Sequence, residues 1–191
     1  MTTEPIRDKK DTTALALYYK DRRQYRNYTL IIMGLYTALR ISDLLQLTWD
    51  DVYDYKNKCI KKVISLSEKK TGKAKILALN NEIITALHLM LSEISITPGE
   101  ALFISKKTKS AIGRVQAYRI IRHAAEALNL SNRVSCHSLR KTFGYHAWKK
   151  GVSPAILMEI YNHSSLAVTR RYLGISQDDK NEVYLSLDFL L

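Results

Sequence analysis

Between Tyr28 and Tyr36 the chain reads Tyr-Thr-Leu-Ile-Ile-Met-Gly-Leu-Tyr, apolar on almost every side of a helix. A helix of that kind has to be enclosed, and the run is far shorter than the ~20 residues that cross a bilayer. It therefore predicts a buried helix in a packed core. No other apolar run approaches membrane length, and the polar start Met1-Thr2-Thr3-Glu4 lacks the apolar centre of a signal peptide. With 191 residues, 46% of them hydrophobic, the chain suits one domain, or one plus a short appendage.

The segment after the buried helix carries charge: Thr37-Ala38-Leu39-Arg40-Ile41-Ser42-Asp43. Asp43 stands three residues after Arg40, so one helical turn lets the carboxylate brace the guanidinium. An arginine beside apolar surroundings needs such a partner. A local ion pair of purely structural value fits the same pattern. Thirty Lys and Arg against eighteen Asp and Glu leave a net charge of +12, which points to a polyanion, nucleic acid first. Cys59 and Cys136 make no metal-ligand spacing, and reduced thiols in a cytoplasm are the simplest reading.

The rest of the chain predicts mainly α structure with a small antiparallel β-sheet or hairpin. Residues 4 to 27 read as an amphipathic helix followed by a basic turn. Arg22, Arg23 and Arg26 there suit a solvated face or phosphate contacts. Cys59–Ser67 and Lys75–Leu79 alternate as strands, joined by the basic turn Glu68-Lys69-Lys70-Thr71-Gly72-Lys73. Asn80 and Asn81 offer an N-cap to a helix through Ile83, Leu87 and Met90. A later helix opens near Arg114, with Val115, Tyr118, Ile121, Ala125 and Leu128 expected inward. Arg114, Gln116, Arg119 and Arg122 take its other faces, where solvation and base reading both fit.

Two further stretches carry chemistry. Ser135-Cys136-His137-Ser138-Leu139-Arg140-Lys141-Thr142-Phe143 opens a helix on which His137 and Arg140, at i and i+3, share a face. Near the C-terminus comes Asn162-His163-Ser164-Ser165-Leu166-Ala167-Val168-Thr169-Arg170-Arg171-Tyr172. Its serines are good N-caps, so a short helix should come next, with Thr169 and Tyr172 one turn apart and Leu166, Val168 and Leu173 inward. A surface pair and a plain amphipathic helix account for each stretch separately. No Asp, Glu or His cluster has metal-ligand spacing.

Taken in order, Thr37-Ala38-Leu39-Arg40, Lys70-Thr71-Gly72, His137-Ser138-Leu139-Arg140 and His163-Ser164-Ser165 through Tyr172 resemble the catalytic motifs of the tyrosine recombinases, also called the phage integrase family. The match runs over nearly the whole chain. Ala38 and Asn162 stand where many members carry glycine, both at positions sensitive to backbone conformation. The resemblance implies the catalytic-domain fold of that family over residues 1–175. It also implies a helical tail at 176–191 that docks on a neighbouring protomer or packs in cis. No separate N-terminal DNA-clamping domain is expected.

The chemistry the resemblance implies is cleavage and rejoining of DNA at a specific site through a 3′-phosphotyrosyl intermediate. Tyr172 would be the nucleophile and Lys70 the acid for the departing 5′ oxygen. Arg40, Arg140, His137 and His163 would hold the phosphate, with Asp43 supporting Arg40. The guanidinium charges should raise the phenolate fraction of Tyr172. Lys73, Arg114, Arg119 and Lys141 are the candidate DNA contacts. No cofactor and no metal are expected. The partner would be double-stranded DNA, with a homotetramer on synapsed sites, a monomer or weak oligomer otherwise, and a cytoplasmic, nucleoid-associated location. A type IB topoisomerase-like enzyme and a non-catalytic DNA-binding regulator of the same fold are the alternatives.

Overall fold

The computed structural model describes residues 3–67, 72, 74–131, 133–175 and 177–188. Among these, the helices are α1 (Lys9–Leu17), α2 (Tyr25–Tyr36), α3 (Ile41–Leu44), α4 (Trp49–Val52), α5 (Asn81–Leu91), α6 (Arg114–Ala127), α7 (Cys136–Lys149), α8 (Pro154–Tyr161), α9 (Leu166–Leu173) and α10 (Gln177–Ser186). The strands are β1 (Tyr53–Asp54), β2 (Cys59–Ile60), β3 (Val63–Ser67) and β4 (Ala74–Ala78). The fold is mainly helical with two small antiparallel sheets, β1–β2 and β3–β4. No helix among the described residues is long and apolar enough to cross a membrane.

Helix α2 is enclosed, as its sequence requires: every residue from Asn27 to Leu35 is buried. It packs against α1, α5, α6 and α7. A Cβ at Gly34 would stand 2.6 Å from Leu139 Cδ1, so glycine is what lets α2 approach α7 this closely. At its C-terminus Thr37 donates its hydroxyl to the Met33 carbonyl at 2.6 Å. Ala38 then turns the chain with φ 54°. That reversal leads Arg40 directly into α3, beside α7.

The N-terminal stretch differs from the expected long helix. Asp8 caps α1 by accepting from the Lys10 N–H at 2.7 Å, so residues before it are extended. That segment crosses α7 instead. The Ile6 N–H donates to Thr142 Oγ1 at 2.9 Å, and the Ile6 carbonyl lies 3.0 Å from His146 Nε2. The backbone hydrogen bonds of an irregular segment have to be met somewhere, and α7 meets them.

The run Cys59–Ser67 is two strands. Asp54 accepts from the Lys56 and Asn57 N–H groups, each at 3.0 Å, and this tight turn folds β2 back on β1. β3 then pairs with β4, Val63 opposite Ala78 and Ser67 opposite Ala74. Residues 68–71 and 73, Lys70 and Lys73 among them, lie outside the described residues.

Two helix faces are also rotated from expectation. On α6 the inward set is Ala117, Ile120, Ile121, Ala124 and Ala125, while Val115 and Tyr118 are exposed. Small alanines on the inner stripe allow α6 to sit close against its neighbours, which pushes the two larger side chains to the rim. On α9 the buried residues are Thr169 and Leu173, with Leu166 and Val168 exposed. Leu173 joins Ala38, Leu157 and Tyr161 in a second apolar cluster beneath the site.

Candidate active site

Arg140 is the centre of the site. It is only 2% exposed, on the second turn of α7. A buried guanidinium has to be matched by acceptors, and three are supplied by three different parts of the chain. Nη1 donates to the Ala38 carbonyl, Nη2 to the Tyr161 carbonyl at 3.0 Å, and Nε to the Tyr172 hydroxyl at 3.1 Å. The guanidinium carbon also sits 4.6 Å above the Tyr161 ring. Ala38 and Asn162, at and next to the two carbonyls, both adopt left-handed backbone, with φ 54° and 53°. These are the two places where the resemblance shows glycine in many members. Asparagine tolerates that conformation better than alanine does.

Around Arg140 the rings close in. The His137 and Tyr172 ring centroids are 5.0 Å apart, edge to face, and those of His163 and Tyr172 are 4.9 Å apart. His163 stacks on Tyr161 at 5.1 Å. Its Nδ1 lies 3.1 Å from Thr169 Oγ1, and the Thr169 hydroxyl gives its proton to the Ser165 carbonyl at 3.3 Å. With that proton committed, Thr169 accepts from His163 Nδ1–H, which leaves Nε2 as the free acceptor of the neutral ring. Ser165 also caps α9, accepting from the Val168 N–H at 3.3 Å.

Arg40 is part of the same site. Its Nη1 stands 3.9 Å from Asp43 Oδ2, whose side chain is fully buried, while the Arg40 side chain keeps 22% exposure. The carboxylate stands within ion-pairing distance of the guanidinium. Arg40, His137 and Arg140 line one side of a cleft of about 360 Å³, with Arg114, Val115 and Tyr118 of α6 on the other.

Electrostatics set the resting protonation. Desolvation by the surrounding protein, then the positive charges of Lys141, Arg140 and Arg40, bring the His137 pKa down to about 4. His163 is lowered in the same direction, by desolvation first and then Arg140 and Arg40. Tyr172 is pushed up to about 12, because burial outweighs the opposing pull of Arg140 and Arg40. The sequence expectation of an enriched phenolate is therefore reversed in the free protein. Tyr172 is thus held as the phenol, with its ring beside two histidines whose pKa values are lowered.

Among the candidate DNA contacts, Arg114 and Arg119 are exposed on α6. Lys141 is not a surface cation: it is buried, and its ammonium donates to the Thr3 carbonyl at 2.7 Å. Lys70 and Lys73 lie outside the described residues. Lys75, close to them in sequence, donates to the Ile160 carbonyl at 2.8 Å and so ties β4 to the end of α8. Among the described residues no group of three His, Cys, Asp or Glu is placed to hold a metal ion.

Sequence reasoning missed Tyr161. Its hydroxyl donates to the Arg140 carbonyl at 2.7 Å while its own carbonyl accepts from Arg140, and its ring carries His163. The available signal was a lone polar-tipped aromatic closing a mostly apolar helix, two residues before a histidine.

Residues 8–178 match the phage integrase family. The chain belongs to that family. The probable integrase/recombinase YoeC of Bacillus subtilis (strain 168) is 35% identical over 181 residues, 95% of this chain and 94% of that protein. The type 1 fimbriae regulatory protein FimE of Escherichia coli (strain K12) is 28% identical over 77% of this chain and 73% of its own length. A tyrosine recombinase of Pseudothermotoga lettingae is 24% identical over 83% of this chain and 52% of its own length, so the chain spans about half of that relative. In fold it is similar to the crystal structure of XerA recombinase, with TM-score 0.78 at 22% identity over 96% of this chain and 63% of that one.

Proposed function

We propose that this chain is a site-specific DNA recombinase that cleaves and rejoins strands through a phosphotyrosyl intermediate. The observation that carries the reading is the convergence of Arg140 and His137 of α7 with His163 and Tyr172 of the C-terminal stretch into one cluster of contacting side chains. Arg40 and Arg140 bind the non-bridging oxygens of the scissile phosphate. The grip strengthens as charge builds in the pentacoordinate state. Tyr172 Oη forms a bond to phosphorus, its proton passes to His137, and the bond from phosphorus to the 5′ oxygen breaks. Lys70 gives the departing oxygen its proton. The phosphotyrosyl bond keeps the energy of the original linkage, so a 5′ hydroxyl reverses the step without ATP.

The proposed partner is double-stranded DNA carrying a recombination site, bound in the cytoplasm with the nucleoid. Arg114 and Arg119 are the proposed contacts on α6, and Lys73 the proposed contact on the hairpin. We extend the reading to a homotetramer on synapsed DNA, with residues 176–191 acting between protomers. In support, α10 is tied in cis at its start, Asp179 to Arg7 at 3.2 Å, while Val183, Tyr184, Leu185 and Leu187 are exposed.

The test is covalent capture on a nicked duplex that loses its short 5′ fragment after cleavage. The wild-type protein should give a detergent-stable protein–DNA band, and Tyr172→Phe should bind the duplex yet give none. Binding with no band from the wild type would favour a non-catalytic regulator. A band that persists in Tyr172→Phe would remove Tyr172 as the nucleophile.

A further inference from the structure

Lys141 comes directly after Arg140 in α7. It is 8% exposed. Its ammonium donates to the Thr3 carbonyl at 2.7 Å and lies 5.5 Å from the centre of the Tyr172 ring. On α7 it stands at i+4 from His137, the spacing that puts two side chains on one helical face. A buried ammonium is costly to keep charged, and burial does lower its pKa, with Glu4 of the N-terminal segment acting in the opposite sense. The extended segment at residues 3–7 thus supplies the acceptor that keeps this cation inside the protein.

We propose that Lys141 is a positioning residue for strand cleavage: anchored on the Thr3 carbonyl, it sets a buried positive charge beside the Tyr172 ring and one helical turn from His137. The inference rests on the recombinase reading above and adds to it a residue that touches neither phosphate nor leaving group. Several charged or titratable groups face His137. Arg140 and Lys141 belong to its own helix, Arg40 precedes α3, His163 precedes α9, Arg114 stands across the cleft on α6, and Tyr172 is on α9. The positive charges of Lys141, Arg140 and Arg40 all disfavour the imidazolium of His137.

The need for such a residue appears when DNA binds. An incoming phosphodiester brings negative charge to the cleft, which favours the imidazolium and raises the His137 pKa towards neutrality. A protonated His137 accepts no proton from Tyr172. Lys141, its ammonium engaged by the Thr3 carbonyl, opposes that rise.

The experiment compares wild type, Lys141→Met and Lys141→Arg in two measurements. The first follows the His137 ring by NMR titration of the free protein, which needs no activity. Its midpoint should rise by about one pH unit in Lys141→Met and stay near the wild-type value in Lys141→Arg. The second is the single-turnover cleavage rate against pH on the nicked duplex. The acid limb should move up by a similar amount in Lys141→Met, giving a loss of roughly threefold to tenfold near the limb that higher pH restores. The salt dependence of DNA binding should be unchanged. An unmoved His137 midpoint in a folded Lys141→Met protein overturns the inference. A salt slope reduced by about one unit, with an equal rate loss at every pH, overturns it too and makes Lys141 a phosphate contact. If wild type gives no covalent product on any site, the recombinase reading fails and Lys141 has no reaction to serve. If wild type is active and His137 is indifferent to Lys141, only the present inference falls.

Discussion

Arg140 Nε donates to the Tyr172 hydroxyl at 3.1 Å, so the proposed phosphate-binding arginine and the proposed nucleophile are hydrogen-bonded to each other in the free protein. The contact holds the phenol against the buried guanidinium while burial keeps it protonated. It also engages Nε, one of the donors a phosphate would use. Substrate binding on this reading exchanges a neutral acceptor for an anionic one, and charge-assisted hydrogen bonds are the stronger kind. The exchange frees Tyr172 at the moment phosphorus arrives.

Arg140→Lys should therefore fail in two ways. A single ammonium cannot reach the Ala38 carbonyl, the Tyr161 carbonyl and the Tyr172 hydroxyl together. Each buried carbonyl left unmatched costs about 1–3 kcal/mol, which lowers the melting temperature by several degrees at this chain length. The cleavage rate should fall by roughly 10²–10³-fold, as for loss of a preorganised donor. Thermal melts and single-turnover cleavage measure the two effects. A stable Arg140→Lys protein with near-normal cleavage would mean the arginine fork is not what holds the site together.

Gly144 provides a test of how the site is seated on the core. A Cβ there would meet the Tyr161 hydroxyl oxygen at 2.1 Å and Leu173 Cδ2 at 2.7 Å. Both neighbours are fully buried, so neither can swing away. Gly144→Ala is expected to cost about 1–3 kcal/mol by overpacking, despite alanine's better helix propensity. Tyr161 carries Arg140 and His163, and Leu173 adjoins Tyr172, so cleavage should fall more than the melting temperature alone accounts for. Unchanged stability and activity would show that α8 and α9 move freely against α7.

How much of this was visible in the sequence depends on what kind of contact is involved. The enclosed helix α2 was legible because an all-round apolar surface has one physical solution. Arg40 with Asp43, and His137 with Arg140, were legible as pairs because helical spacing is local. The acceptors of Arg140 were not. Two of them are backbone carbonyls, and every residue has one. The rotation of α6 was hidden for a related reason: Val115 and Tyr118 look like core residues, and only the alanines opposite decide which face fits. For Thr169 the sequence gives only its spacing of one turn from Tyr172, while the Ser165 carbonyl and His163, which satisfy its hydroxyl inside, come from the fold.

Thr169→Val isolates that last contact. Valine keeps the shape and removes the oxygen that holds His163 Nδ1. The lost hydrogen bonds are worth about 0.5–1.5 kcal/mol each, so the fold should survive with a modest drop in melting temperature. The imidazole loses its fixed tautomer and orientation, and a displaced catalytic group can cost up to about 10²-fold. A cleavage rate reduced about tenfold in Thr169→Val, and largely kept in Thr169→Ser, is the expected result. Equal losses in both variants would assign the effect to packing of α9.

The remaining prediction concerns the acid that protonates the 5′ oxygen, assigned to Lys70 by resemblance. Lys75 is the neighbouring lysine whose position is described, and its ammonium donates to the Ile160 carbonyl at the end of α8. That placement favours a structural part for Lys75. Lys70→Ala should bind DNA nearly normally and cleave it slowly, by roughly 10²–10⁴-fold, the usual contribution of a positioned acid. Sulfur in place of the bridging 5′ oxygen makes a leaving group that scarcely needs a proton. That substrate should restore most of the Lys70→Ala rate and leave Arg140→Lys slow, because the arginine acts at the non-bridging oxygens. Lys75→Ala should show a lower melting temperature and no selective rescue. If sulfur rescues Lys75→Ala or Lys73→Ala and not Lys70→Ala, the acid belongs to that other lysine. If it rescues none of them, the departing oxygen takes its proton from elsewhere.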